Sequence, residues 1–340
     1  MLPQVLQSIR PGFRPVLERR PPRLEADDAR ELAARLYGIE ASVAGLPSYY
    51  DQNFLLTQGA RQWVLKISRQ DADPAVLEMQ NLAMRRIAER TRSFTIARVC
   101  PAVTGESIPT IRAADGRCHH VRLLTYLPGS PWSRLPAHSD DLLRQLGHAV
   151  GRLGEALKDF SHPAMHCDDD WDLKHFPRVL GYLEALGSRD RQATVLRWVE
   201  HFETQLAPQL GTLPQAVIHG DLNNDNVLVD RDRIVGVIDF GDVVFSTGLF
   251  DLAIAMAYGM LHQADPYAAG CQILKGYETI SPLTSRQRET AFDLACCRLV
   301  TSATYGTYFS SLEPGNTYIG CNVEASWQTL ELLASRPNPT

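Results

Sequence analysis

One segment constrains this chain more than any other. It reads Ala216-Val-Ile-His-Gly-Asp-Leu-Asn-Asn-Asp-Asn-Val-Leu-Val-Asp230 and, after Arg-Asp-Arg, Ile234-Val-Gly-Val-Ile-Asp-Phe-Gly-Asp242. Apolar, largely β-branched runs at 217–218, 227–229 and 234–238 read as short strands of one embedded hairpin. A polar loop, 219–226, separates the first two. Asp239, Gly241 and Asp242 follow the last. Short strands on a rigid scaffold thus aim several carboxylates and an amide into one cleft.

Phosphoryl transfer from a nucleotide needs this set. A carboxylate must orient the attacking hydroxyl and accept its proton. An amide oxygen and a second carboxylate must hold Mg2+ against the phosphates, and a cation must brace the α/β-phosphates. Asp221 fits the first role, and Asn226 and Asp239 fit the second. Asn226 follows Asp221 by five residues, and Asp239-Phe-Gly241 is a literal D-F-G eighteen residues past Asp221. That spacing is the one found in a kinase catalytic loop. The plain alternative is a pair of turns rich in Asp and Asn. Both halves at this separation, joined by strand-like runs, weigh against it.

Composition narrows the rest. A chain of 340 residues suggests two domains and buries a sizeable core without disulfides. The 34 Lys and Arg against 39 Asp and Glu leave no global basic field for a nucleic acid. Seven cysteines without a Cys-x-x-Cys pair suit free thiols in a reducing compartment. There is no apolar run of eighteen residues and no apolar leader before a cleavage site, so the expected setting is cytoplasmic, with no membrane partner. His166-Cys167 and Cys118-His-His120 lack a second half at ligand spacing, so zinc is not expected. No G-x-S-x-G elbow occurs.

Along the chain, residues 1–23 carry five prolines and read as an extended arm. Residues 24–126 read as a β-rich lobe. It has a helix at 24–38 capped by Asp27 or Asp28, strands at 54–57, 62–68, 97–99 and 120–126, and a helix from Asp73-Pro74 to about 90. Residues 127–340 read as a larger, mainly helical lobe. Its helices lie at 140–160, 174–186, 188–206, 248–262, 265–280, 285–305 and 320–335.

His219-Gly-Asp-Leu-Asn-Asn-Asp-Asn-Val-Leu228 and Ile238-Asp-Phe-Gly-Asp242 resemble the signature of the aminoglycoside phosphotransferase/choline kinase-like group, a small-molecule branch of the protein-kinase fold. The resemblance covers about residues 24–327. Within the group, Leu46-Pro-Ser-Tyr-Tyr-Asp-Gln-Asn-Phe54, Trp171-Asp-Leu173 and the run from Asp239 to Tyr258 are similar to the hydroxylysine kinases. The resemblance implies an α+β, bilobal protein-kinase-like fold, with a small antiparallel-sheet N-lobe and a larger mainly helical C-lobe. ATP or GTP, with Mg2+, would lie between the lobes.

It also implies roles. Lys66 would brace the phosphates, with Glu78 as its ion-pair partner. No G-x-G-x-x-G is present; Ser48, Gln52 and Asn53 stand in its place. The connector at 123–129, with Leu124 and Tyr126, would meet the purine. Asp242, Trp171, Asp172 and Tyr258 are the acceptor-side candidates, since an ammonium favours carboxylates and aromatic faces. His219 and Asp251 would support the catalytic loop. Asp168–Asp170 also reads as a solvated, helix-capping run. The expected acceptor is a small molecule with hydroxyl and amine groups, 5-hydroxylysine first, then homoserine, choline-like alcohols and aminoglycosides. Antibiotic inactivation and a nucleotide-binding regulator with little turnover are the competing functions. Oligomeric state is not legible.

Overall fold

In the computed structural model, which describes residues 22–48 and 50–335, the period-2 patterning of the first lobe builds an antiparallel sheet. Helix α1 (Ala26–Tyr37) precedes β1 (Ser42–Leu46), β2 (Gln52–Gln58) and β3 (Arg61–Ile67). Then come α2 (Pro74–Arg90), β4 (Thr95–Ile96), β5 (Val99–Cys100), β6 (Thr110–Arg112) and β7 (Cys118–Thr125). The sheet order is β1-β2-β3-β7-β5, with β6 on β7. The expected arm falls almost wholly outside the described residues.

Alternation decides which side chains face where. Phe54, Leu56, Leu65, Ile67, Val121 and Leu123 bury one sheet face against α1. The registers Asn53↔Lys66 and Lys66↔Arg122 set those three polar residues side by side on the other face. Helix α1 is capped by Glu25 rather than Asp27 or Asp28; Asp28 closes a capping box from the third helical position. Asp73 caps α2 by accepting the Ala75 N–H at 2.8 Å.

The second lobe follows β8 (Ser130–Pro131). It contains α3 (Asp140–Leu157), α4 (Arg189–His201), α5 (Ala207–Leu210), β9 (Gln215–Ile218), β10 (Val227–Asp230), β11 (Arg233–Val237) and β12 (Val244–Thr247). It ends with α6 (Leu249–Gly259), α7 (Pro266–Glu278), α8 (Ser285–Leu312) and α9 (Val323–Ala334). Every residue of α6 is buried, which explains its apolar character all round. Helices α3 and α7 meet backbone to backbone: a Cβ on Gly147 would lie 1.8 Å from the Ile273 carbonyl oxygen. No helix among the described residues is long and apolar enough to cross a membrane.

Three local expectations change. The embedded hairpin is two pairings: β10 pairs with β11, whereas β9 pairs with β12. Leu173–Leu186 winds as a 3-10 helix containing Pro177, not an α-helix. After α4 the chain widens into a π turn, Phe202–Leu206. Strand β4 runs parallel to β11, stitching the first lobe to the second beside the Asp239 turn.

Candidate active site

The pairing of β9 with β12 places the loop after β9 directly over the turn after β11. Its anchor is buried. His219 donates from Nε2 to the Ile238 carbonyl (3.1 Å) and accepts the Asp221 N–H at Nδ1 (3.2 Å). These bonds assign a neutral ring with its proton on Nε2. Burial pushes its pKa down to about 4. The Asp251 carboxylate, carried in by α6, accepts the N–H groups of His219 and Gly220, each at 2.9 Å. Gly220 has φ +82°, and a Cβ there would lie 2.2 Å from the Asp242 carbonyl oxygen. Only glycine lets the two turns approach this closely.

Asp221 projects from this anchor. Its Oδ2 accepts from Asn223 Nδ2 (2.8 Å) and Asn226 Nδ2 (2.9 Å). Its Oδ1 takes the Arg298 Nη2 at 2.6 Å. Burial raises Asp221 to about 6 against the pull of Arg298, and the Asp239 and Asp169 charges add to the rise. Asp239 occupies the left-handed region, φ +59°. It meets Lys66 Nζ at 2.7 Å. Burial opposes ionisation there, but the Lys66 ammonium holds the carboxyl below its ordinary range. Asp242 rises well above its ordinary value through burial and the crowding of Asp169, Asp221 and Asp239.

These groups line one cavity of about 350 Å3 between the lobes. Asn226 spends its amide nitrogen on Asp221, so its oxygen is the atom left to face a cation beside Asp239. One carboxylate and one amide oxygen suit Mg2+, which takes oxygen ligands and completes its shell with phosphates and water. No cluster of three or more His, Cys, Asp or Glu among the described residues offers an all-protein metal cage.

The remaining expected residues divide. Ser48, Trp171, Asp242 and Tyr258 line the cavity. Asn53 sits beside Lys66 on the cleft face of the sheet, with its buried Oδ1 unpaired. Gln52 points to the opposite face and clasps the backbone N–H and carbonyl of Leu24 (2.8 and 2.7 Å), because strand alternation turns it away from Lys66. Glu78 does not pair with Lys66: it is 64% exposed and lies 3.9 Å from His162. Val76, Leu77 and Gln80 are the α2 residues that line the cavity, and Gln80 Nε2 donates to the Gly241 carbonyl at 2.8 Å. Asp172 is fully buried, accepting from Ser246 (2.8 Å) and pairing with Lys174 (2.7 Å), so it holds the fold and does not reach the cavity. Asp168 and Asp170 pair with Arg178 and border the cavity; Asp170 is buried and Asp172 caps the helix that follows, so the run is not the solvated, helix-capping one expected.

In the connector, Leu124 packs into an apolar seam with Ala97, Leu127, Leu228, Val235 and Ile238. The Tyr126 N–H donates to the Gln62 carbonyl (3.2 Å) and the Thr125 N–H to that of Arg98 (2.9 Å), so these two donors are used within the fold. Tyr126 is 37% exposed.

Sequence reasoning missed Arg298. It stands in the mostly apolar stretch 294–303 of α8, every residue of which is buried. A lone arginine in such a run is itself a signal, because a buried guanidinium requires partners. The loop joining α8 to α9 was also missed. It closes the cavity's far side, tied to the catalytic loop by reciprocal Asn224–Asn322 amide bonds of 3.1 Å each.

Comparison with known proteins agrees with this geometry. The model of a phosphotransferase enzyme family matches residues 42–283. Hydroxylysine kinase of Mus musculus is 31% identical over 333 residues, covering 90% of this chain and 88% of that protein. A microcompartment-associated aminopropanol kinase shares the fold with a TM-score of 0.73 at 21% identity, over 92% of this chain and 98% of its own. An amicoumacin kinase in complex with AMP-PNP, Ca2+ and Ami shares it with a TM-score of 0.65 at 15% identity, over 88% and 93%. From β1 to the loop before α8, then, the chain belongs to the phosphotransferase enzyme family, as a small-molecule kinase that phosphorylates an alcohol group.

Proposed function

We propose that this kinase transfers the γ-phosphoryl group of ATP or GTP, with Mg2+, to the hydroxyl of an amino acid or amino alcohol, with 5-hydroxylysine the favoured acceptor. The observation that carries the reading is a single cavity in which the Asp221 carboxylate and the Lys66–Asp239 pair face a wall of further carboxylates. Asp221 orients the acceptor hydroxyl and accepts its proton as the new O–P bond forms and the bond from the γ-phosphorus to the β,γ-bridging oxygen breaks, releasing ADP or GDP. Lys66 turns from Asp239 to the nucleotide phosphates. Asn226 and Asp239 would hold Mg2+, which would supply charge neutralisation for the transferred group.

The charge of the acceptor follows from the same cavity. Asp169 and Asp242 crowd one side, and an acceptor ammonium relieves their repulsion.

The test measures acceptor-dependent formation of ADP and GDP with Mg2+ across 5-hydroxylysine, homoserine, choline, ethanolamine and several aminoglycosides. Strong turnover with one small amine alcohol is expected. Turnover with aminoglycosides alone would move the protein to antibiotic inactivation. Nucleotide binding without any turnover would favour a regulator. Lys66→Ala is expected to raise the nucleotide KM and lower kcat together; unchanged constants would remove Lys66 from the site.

A further inference from the structure

Arg298 is 1% exposed, and a guanidinium buried this deeply is retained at a cost unless its donors are used. Two of its five N–H groups go to Asp221 Oδ1 (2.6 Å) and the Trp171 carbonyl (3.2 Å), and a third is donated to the Tyr258 hydroxyl. Its Nε has no hydrogen-bond partner. The aromatic rings of Trp171 and Tyr258 lie 4.8 and 5.6 Å from the guanidinium carbon, fixing its plane at the cavity wall. Among the described residues lining the cavity, Arg298 is the one cation supplied by the second lobe; Lys66 and Arg69 come from the first. Every other charged group on the acceptor side is an aspartate. Helix α8 also lies beyond residues 42–283, the part matched by the family model.

The geometry points to Arg298 as the residue that reads a carboxylate on the acceptor, so that the enzyme selects an α-amino acid over the corresponding amino alcohol. This rests on the reading given above of an amine-bearing hydroxyl acceptor and names its class more narrowly. The acidic wall takes the ammonium groups. Arg298, held by its bond to Asp221, takes the carboxylate through its remaining donors. One cation thereby ties the acceptor's backbone end to the group that receives the hydroxyl proton. A planar guanidinium with several fixed donors suits a carboxylate better than a lysine would.

The experiment compares acceptors that differ only by the carboxylate: 5-hydroxylysine against 1,5-diaminopentan-2-ol, and homoserine against 3-aminopropan-1-ol. Wild-type kcat/KM is expected to favour the amino acid by roughly 10- to 100-fold, the range of a charge-assisted hydrogen bond. Arg298→Met should collapse that ratio, chiefly through acceptor KM, and Arg298→Lys should restore part of it. A fall that is equal for both members of a pair would assign Arg298 to holding Asp221 alone and overturn the inference. So would a wild-type enzyme that does not discriminate. Binding gives a second readout that needs no turnover. L-lysine should raise wild-type Tm more than 1,5-diaminopentane, and Arg298→Met should erase the difference. Equal shifts in the wild type overturn the carboxylate reading by themselves. Silence with every acceptor, beside an unequal thermal shift, would instead overturn the proposed transfer reaction and leave the carboxylate site standing.

Discussion

Asp221→Asn is expected to lower phosphoryl transfer by about 10²–10⁴-fold, the range for loss of a positioned general base, with nucleotide affinity held within a few-fold. The amide keeps the shape and the oxygen that Asn223 and Asn226 address. It cannot accept the acceptor's proton. The substitution also neutralises the partner of Arg298, whose guanidinium stays buried. Removing one member of a buried pair costs up to about 3–5 kcal/mol. With its oxygen kept for Asn223 and Asn226, the amide turns its NH2 toward the buried Arg298 guanidinium, so the loss should lie toward the top of that range. Adding Arg298→Met to Asp221→Asn removes the orphaned charge and should recover part of the urea midpoint without recovering turnover. Single-turnover rates, nucleotide titration and denaturation curves read the three quantities separately. Near-normal transfer by Asp221→Asn would mean that the proton goes to another group.

The local part of this site is legible in the sequence because its chemistry is local. Asp221, Asn226 and Asp239 sit on two turns flanked by strands, and turn position alone determines what they face. The supporting roles of His219 and Asp251 come from the family resemblance, and the structure brings Asp251 in from α6 to accept the loop's N–H groups. What was misread depends on contacts distant in sequence. Proximity in sequence joins strand β9 to β10, yet its partner is β12, beyond the Asp239 turn. The kinase resemblance alone puts Glu78 beside Lys66. The pitch of α2 turns it outward and brings Gln80 in, and Lys66 takes Asp239 instead. Gln52 and Asn53 are neighbours in sequence but occupy opposite sheet faces, and the register that separates their roles appears only once β3 is paired. Arg298 escaped notice for the opposite reason. Its helix reads as core, and the charge has meaning only beside a carboxylate 77 residues away.

Asp251→Asn is expected to lower both stability and turnover, although Asp251 touches neither substrate nor metal in the proposed reaction. Its two oxygens each accept one backbone N–H at 2.9 Å, from His219 and Gly220. Burial pushes its pKa up to about 6, so at neutral pH it is the ionised, two-acceptor form that is present. An amide offers one acceptor and places an NH2 against the second N–H. An orphaned buried donor costs about 1–3 kcal/mol, and the donor–donor contact adds to it. The displaced group is the residue immediately before Asp221, so relief of that contact moves the proposed base; a shift of about 1 Å at such a group costs on the order of 10²-fold in rate. Asp172→Asn supplies the matched control. Asp172 is equally buried and hydrogen-bonded, but its partners are Lys174 and Ser246, away from the cavity. The two variants should lose comparable stability in urea denaturation, with kcat falling much further in Asp251→Asn. Equal kcat losses would show that Asp251 acts only through global stability. An unchanged kcat in a folded Asp251→Asn would show that the loop is held by its own turn, through His219 and Asn226, without the helix beneath it.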